Sequence, residues 1–322
     1  EIYMDWCYPA KIKPGMTIAF TAPASASEED MDALRALVEA AGYRAVFGES
    51  CFRRGEYGGT PEEQANELNY FLTDASCDAV VAVRGGYGCA RYLDRLDYTG
   101  IRRAAKPLVG YSDCTSLLQA IGVHSRLVTY HGPMGVDWLR SGRESDVADL
   151  WDLLEGRKKE QVLLSNDGDA SGNDELSELQ ERPSLFPRRI EGRLWGGNAT
   201  VLCSISGTAY MPSLAEWQEA ILILEDIGEP PYKLDRLLQQ LRLQGILRSV
   251  RGILLGTFTD CKDEDTNEIY DMERMIIAYA MEGRTTGDIP FIGHIPLGHG
   301  APHKALPIGQ WVHIENGCIS WT

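Results

Sequence analysis

One feature limits what this chain can fold into. Its first half alternates short β-branched or aromatic runs with capped, amphipathic stretches. Met16–Thr21 (MTIAFT) reads as a strand. Ser27-Glu-Glu-Asp30 reads as a helix cap, and Met31, Leu34, Leu37, Val38 and Ala41 give helical apolar spacing until Gly42. Tyr43–Phe47 is a second strand, and Thr60-Pro61-Glu62-Glu63 opens a second helix with proline in its first turn. Asp78–Val83, Pro107–Gly110 and Arg126–His131 continue the strands, and Gly88–Leu96 and Asp146–Leu154 the helices. Parallel strands need such crossovers, so the pattern predicts a parallel sheet covered by helices on both faces.

The composition shifts between Ser165 and Arg188, where the chain turns polar and rich in Gly, Ser and Asp. This predicts an N-terminal domain over 12–164, a linker over 165–187 and a C-terminal domain over 188–322. The expected fold class is α/β, a flavodoxin- or Rossmann-like parallel-sheet domain followed by a second α/β domain. In the second block, Ala199–Ser206 reads as a helix and Ala220–Leu224 (AILIL) as a buried strand. Leu234–Leu247 is an amphipathic helix, Gly252–Leu255 a strand and Glu268–Met281 a helix, with short strands to the end. The net charge of −16 disfavours nucleic acid and anionic membranes as partners. The eight cysteines lie too far apart for a CxxC pair, no apolar leader opens the chain, and a cytoplasmic protein with reduced thiols is expected.

Three segments carry polar residues that a core does not need. In VGYSDCTSLLQA, Ser112 follows a strand end and precedes an apolar helical stretch, a turn that exposes a hydroxyl beside helix N-terminal amides. The full G-x-S-x-G elbow is absent. In AVRGGYG, Gly85, Gly86 and Gly88 follow a buried strand but do not spell G-x-G-x-x-G, and no phosphate-binding G-x-x-x-x-G-K-[ST] loop occurs. Glu225 and Asp226 end the AILIL strand, where an open α/β sheet meets its ligand crevice. His294, His299 and His303 follow at spacings unsuited to a zinc-binding helix face. His299, between glycines, suits a general base, whereas His124, His131 and His313 are read as solvated and idle. Ser112, Glu225 and His299 then give a hydroxyl, a carboxylate and an imidazole in a chain order used by serine hydrolases.

Six motifs in order, VRGGYG, VGYSD, YHGPM, GRLWGGN, LEDIGEPPYKLDRLL and GHG-x-x-x-x-x-LPIG, make the chain resemble the LD-carboxypeptidases from about Ile12 to Ile314. The resemblance implies a serine carboxypeptidase with Ser112 as nucleophile, His299 as base and Glu225 as its orienter. Asp226 and Glu229 remain rival carboxylates, and His294 a rival histidine. It implies an oxyanion hole of backbone amides on Gly86 and Asp113. It implies a peptidoglycan-derived peptide substrate losing a terminal D-amino acid, no cofactor and no metal. A homodimer is the expected assembly. Inside the family, the alternative is a microcin-immunity-type amidase acting on peptidyl- or aminoacyl-nucleotide conjugates. Outside it, the alternative is a small-molecule-binding protein without activity. Trp195 stands where a smaller aliphatic residue is expected, which makes it a candidate for the pocket wall.

Overall fold

The computed structural model describes residues 4–164, 189–262, 272–284 and 289–322. The expected linker 165–187 and the first turn of the helix expected from Glu268 lie outside the described residues. The strands are β1 (Thr17–Thr21), β2 (Arg44–Phe47), β3 (Ala79–Ala82), β4 (Leu108–Gly110), β5 (Thr129–His131), β6 (Glu160–Val162), β7 (Arg189–Asn198), β8 (Ala220–Ile227), β9 (Gly252–Thr259), β10 (Phe291–Ile292), β11 (Leu306–Ile308), β12 (Trp311–Glu315) and β13 (Cys318–Ser320). They form two sheets, ordered β11-β5-β4-β3-β1-β2 and β10-β9-β8-β7-β12-β13-β6.

The run β2-β1-β3-β4-β5 is parallel throughout, the strand order of flavodoxin-type sheets. The fold is α/β. Asp30 caps the first helix (Met31–Ala40), accepting from the Asp32 and Ala33 amides, and Thr60 and Glu63 form a reciprocal capping box on Pro61–Thr73. Two expectations need correction. Gly88–Leu96 is a 3₁₀ segment, Cys89–Arg95, broken at Tyr92, whose buried ring carries its hydroxyl to the Pro23 carbonyl 2.6 Å away. The amphipathic helix Leu234–Leu247 is instead Pro231–Leu243 plus a short turn Ile246–Ser249, because Gly245 takes a left-handed conformation.

The sheets do not divide the chain at a single point. β6, from the first half, pairs with β13, and β11, from the second half, pairs antiparallel with β5. The helix Thr115–Ser125 packs against strands of both sheets. It buries nine of its eleven residues, so it is a core helix rather than an amphipathic one. Its fully buried Leu118 and Ile121 contribute roughly 1.5–3 kcal/mol each to holding it in place. Trp195 is also buried, packed edge-on against Trp6 at 5.5 Å, so it belongs to this core and not to a pocket wall. All eight cysteines are free. Among the described residues, no helix is long and apolar enough to cross a membrane.

Candidate active site

Ser112 lies where β4 gives way to the core helix, in a 3₁₀ turn Ser112–Cys114 that runs into Thr115–Ser125. Its φ of +59° is left-handed, a conformation that costs a non-glycine residue about 1–3 kcal/mol and persists only where the surroundings enforce it. Here the buried helix is the constraint on one side and the β4 pairing on the other. The turn lifts the hydroxyl out of the sheet and leaves it partly accessible.

Glu225 reaches the same place through the second sheet. Gln119 of the core helix donates to the Gly196 carbonyl at 2.8 Å and accepts from its amide at 3.3 Å. Thr115 Oγ1 accepts from the Asn198 amide at 3.1 Å. Asn198 stands in register with Glu225 on the adjacent β8. The polar side chains of one buried helix thus tie the Ser112 turn to the strand pair bearing the carboxylate. The third partner comes from the loop after β10, which is held on both sides. The Ile295 amide donates to the Leu255 carbonyl at 2.9 Å, and the His303 amide donates to Asp146 at 2.9 Å. Gly298, at φ +126°, lets this loop pass the carboxylate, since a Cβ there would stand 3.2 Å from Glu225 Oε2 and 2.5 Å from Thr257 Oγ1.

The structure therefore brings Ser112, His299 and Glu225 together. Ser112 Oγ is 3.0 Å from His299 Nε2, and His299 Nδ1 is 2.8 Å from Glu225 Oε2. Burial pushes the Glu225 carboxyl up from its usual range, while the His299 hydrogen bond and charge pull it back down. Tyr111 packs its ring at 5.1 Å against the His299 ring, limiting how far the imidazole can swing. A hydroxyl bonded to an imidazole that is itself bonded to a buried carboxylate can pass its proton to the ring, and the carboxylate stabilises the imidazolium that forms.

The glycine loop completes the site. A Cβ at Gly85 would lie 3.1 Å from Ser112 Cβ, so this backbone runs directly beside the serine. Gly86, at φ +112°, presses on Ser25, where a Cβ would come within 2.2 Å of Ser25 Oγ. Among the described residues, neither the Gly86 amide nor the Asp113 amide has a hydrogen-bond acceptor. Two side chains pin the loop. Ser25 Oγ accepts from the Tyr87 amide at 3.1 Å, and Asp113 Oδ2 accepts from the Cys89 amide at 2.8 Å. Sequence reasoning missed Ser25, although its place just past β1 at the crevice edge was a usable signal. It also gave Asp113 only an amide, not this carboxylate contact.

The rival residues are placed elsewhere. Asp226 accepts from Asn198 Nδ2 at 3.1 Å and from the Thr200 amide and hydroxyl at 2.9 and 2.7 Å, which fastens the start of helix Ala199–Ser204. Glu229 faces Lys233 at 3.8 Å. His294 is exposed and pairs with Glu273 at 3.1 Å. His131 is not solvated, as expected from sequence, but fully buried, with its Nδ1 3.3 Å from His303 Nε2. Burial lowers the His131 pKa to about 3 and that of His303 well below its usual value. Among the described residues, no group of three His, Cys, Asp or Glu side chains is arranged to hold a metal ion.

The LD-carboxypeptidase N-terminal domain family matches residues 18–132, and the LD-carboxypeptidase C-terminal domain family matches residues 191–314. The murein tetrapeptide carboxypeptidase of Pseudomonas aeruginosa is 32% identical over 316 residues, which cover 94% of each chain. The crystal structure of muramoyltetrapeptide carboxypeptidase from Oxalobacter formigenes has a TM-score of 0.73 at 27% identity, covering 94% of this chain and 97% of that one. The wild-type apo structure of the microcin C7 self immunity protein MccF has a TM-score of 0.79 over 98% of both chains, a likeness of fold at 23% identity. Identity sustained along nearly the whole of a murein tetrapeptide carboxypeptidase, with both domain families matched in chain order, makes this chain a member of the LD-carboxypeptidase family.

Proposed function

We propose that the chain is a serine LD-carboxypeptidase that releases the terminal D-alanine from murein tetrapeptides. The observation that carries this reading is the hydrogen-bonded series Ser112 Oγ, His299 and Glu225, at 3.0 and 2.8 Å. His299 Nε2 takes the Ser112 proton as Oγ attacks the carbonyl carbon of the L-configured centre. The carbonyl oxygen becomes negative between the Gly86 and Asp113 amides, whose lack of an acceptor among the described residues supports this role. When the tetrahedral species collapses, the C–N bond breaks, His299 returns its proton to the amine and D-alanine leaves. Water then gives a proton to His299 and attacks the acyl ester, and the returning proton restores the Ser112 hydroxyl. Glu225 holds the ring orientation and offsets the positive charge that appears twice in each cycle. None of these steps calls on a metal or an organic cofactor.

The name of the Pseudomonas aeruginosa relative supports a peptidoglycan-derived peptide as substrate, and we place the enzyme in the cytoplasm, in peptidoglycan recycling, as a homodimer. Incubation with an L-lysine- or diaminopimelate-containing tetrapeptide should yield the tripeptide and D-alanine by mass spectrometry. A fluorophosphonate should label Ser112. Cleavage of an aminoacyl-nucleotide conjugate with no release of D-alanine would favour the microcin-immunity type of activity instead. Neither activity and no labelling would leave a binding protein.

A further inference from the structure

In the sheet order, β3 and β1 lie on the side of β4 away from β11, and the segments that follow them carry the glycine loop and Ser25. Two half-buried arginines flank Ser25 there. Arg84, immediately before Gly85, sends Nη1 to the Ala26 carbonyl at 3.4 Å, a long contact that leaves most of its donors uncommitted. Arg91 lies over the Tyr57 ring, 3.8 Å from its centroid, and its Nη1 is buried without a partner. Among the described residues, neither arginine forms an ion pair, in a chain with 47 acidic residues against 31 basic ones. Among the described residues, Glu56, beside Tyr57 in the chain, forms no ion pair with either arginine.

We propose that Arg84 binds the C-terminal carboxylate of the peptide substrate, and that this contact makes the enzyme an exopeptidase. The inference rests on the carboxypeptidase reading above and adds the group that would recognise a chain end. In a peptide whose last bond is cut, the terminal carboxylate carbon lies only roughly 4 Å beyond the scissile carbonyl carbon along the bonds. A cation reading that carboxylate must therefore reach close to the oxyanion amides. Arg84 is two residues from Gly86 and one from the glycine that touches Ser112. Its guanidinium can meet a carboxylate with two parallel hydrogen bonds. Arg91 is committed to the Tyr57 face and walls the site without reading the charge.

The test compares an L-lysine-containing murein tetrapeptide as its free acid and as its C-terminal carboxamide, following release of D-alanine or D-alaninamide. The wild-type protein should prefer the acid in kcat/KM by roughly 10- to 100-fold, the range of a charge-assisted hydrogen bond. Arg84→Gln should remove that preference by lowering activity on the acid while leaving the amide nearly unchanged, and Arg91→Gln should keep it. Arg84→Lys retains the charge without the two-pronged geometry. It should give an intermediate ratio, and it serves as the readout should Arg84→Gln not fold. An acid preference that survives both Arg84 substitutions overturns the assignment, as does one that Arg91→Gln alone removes. A wild-type protein that releases D-alanine without preferring the acid also overturns it, and leaves the carboxypeptidase reading standing. A wild-type protein that cleaves neither substrate overturns both.

Discussion

Acidifying the protein from pH 8 to pH 5 should cost about 4 kcal/mol of stability through His131 and His303 alone. The two imidazoles are fully buried, and desolvation keeps them neutral, His131 to about pH 3 and His303 to well below the usual histidine value. In the unfolded chain each has a pKa of about 6.5, so at pH 5 each binds a proton worth about 2 kcal/mol that the folded state refuses. The unfolded state binds more protons throughout the window between those values. Stability therefore rises with pH up to about 6.5 and is flat in this respect above it. At pH 5 the figure hardly depends on how far the folded pKa values are depressed, since both rings are neutral there. Glu225 and Asp113 pull the other way, because burial raises their carboxyl pKa values and acid relieves the cost of their charge. The comparison must therefore cancel them. Urea unfolding followed by circular dichroism at both pH values, on the wild-type protein and on His131→Asn/His303→Asn, does so, since both proteins keep the carboxylates. The wild type should lose about 4 kcal/mol more between the two pH values than the variant does. Equal losses in both proteins would refute the claim that the pair is buried and neutral.

Three further outcomes follow from the site. Ser112→Ala and His299→Ala should each lower kcat by about 10⁶, and Glu225→Gln by about 10⁴, in a tetrapeptide assay with folding checked by circular dichroism. A folded Ser112→Ala protein that keeps most of its activity would sink the mechanism. Gly86→Ala forces a side chain into a left-handed backbone and against Ser25, displacing an amide that should stabilise the oxyanion. The kcat should fall by about 10²–10³, with KM little changed. Asp226→Ala removes a buried acceptor of four hydrogen bonds and should lower the unfolding free energy by about 1.5–3 kcal/mol, while retaining more activity than Glu225→Gln.

Local chemistry was legible in the sequence wherever one short segment settles its own conformation. The caps at Asp30 and Thr60, the strand runs and the strand-to-helix turn at Ser112 were of this kind, because periodicity and capping act within a few residues. The kink at Tyr92 was not, since it depends on a carbonyl 69 residues away in the chain. β6 was missed for a similar reason, since it takes its place from β13 on the far side of residues 165–188, and β11, expected only among the short strands to the end, takes its pairing with β5 from the near side. The order Ser112, Glu225, His299 was present in the sequence, but the choice among neighbours was not. Glu225 and Asp226 are adjacent on one strand, at an irregularity in its pairing with β9, and only the packed fold decides which of them meets His299. His294 and His299 share one loop. Anchors on β9 and at Asp146 carry the second to the serine and leave the first in solvent, because tertiary contacts, not spacing, fix where a loop runs.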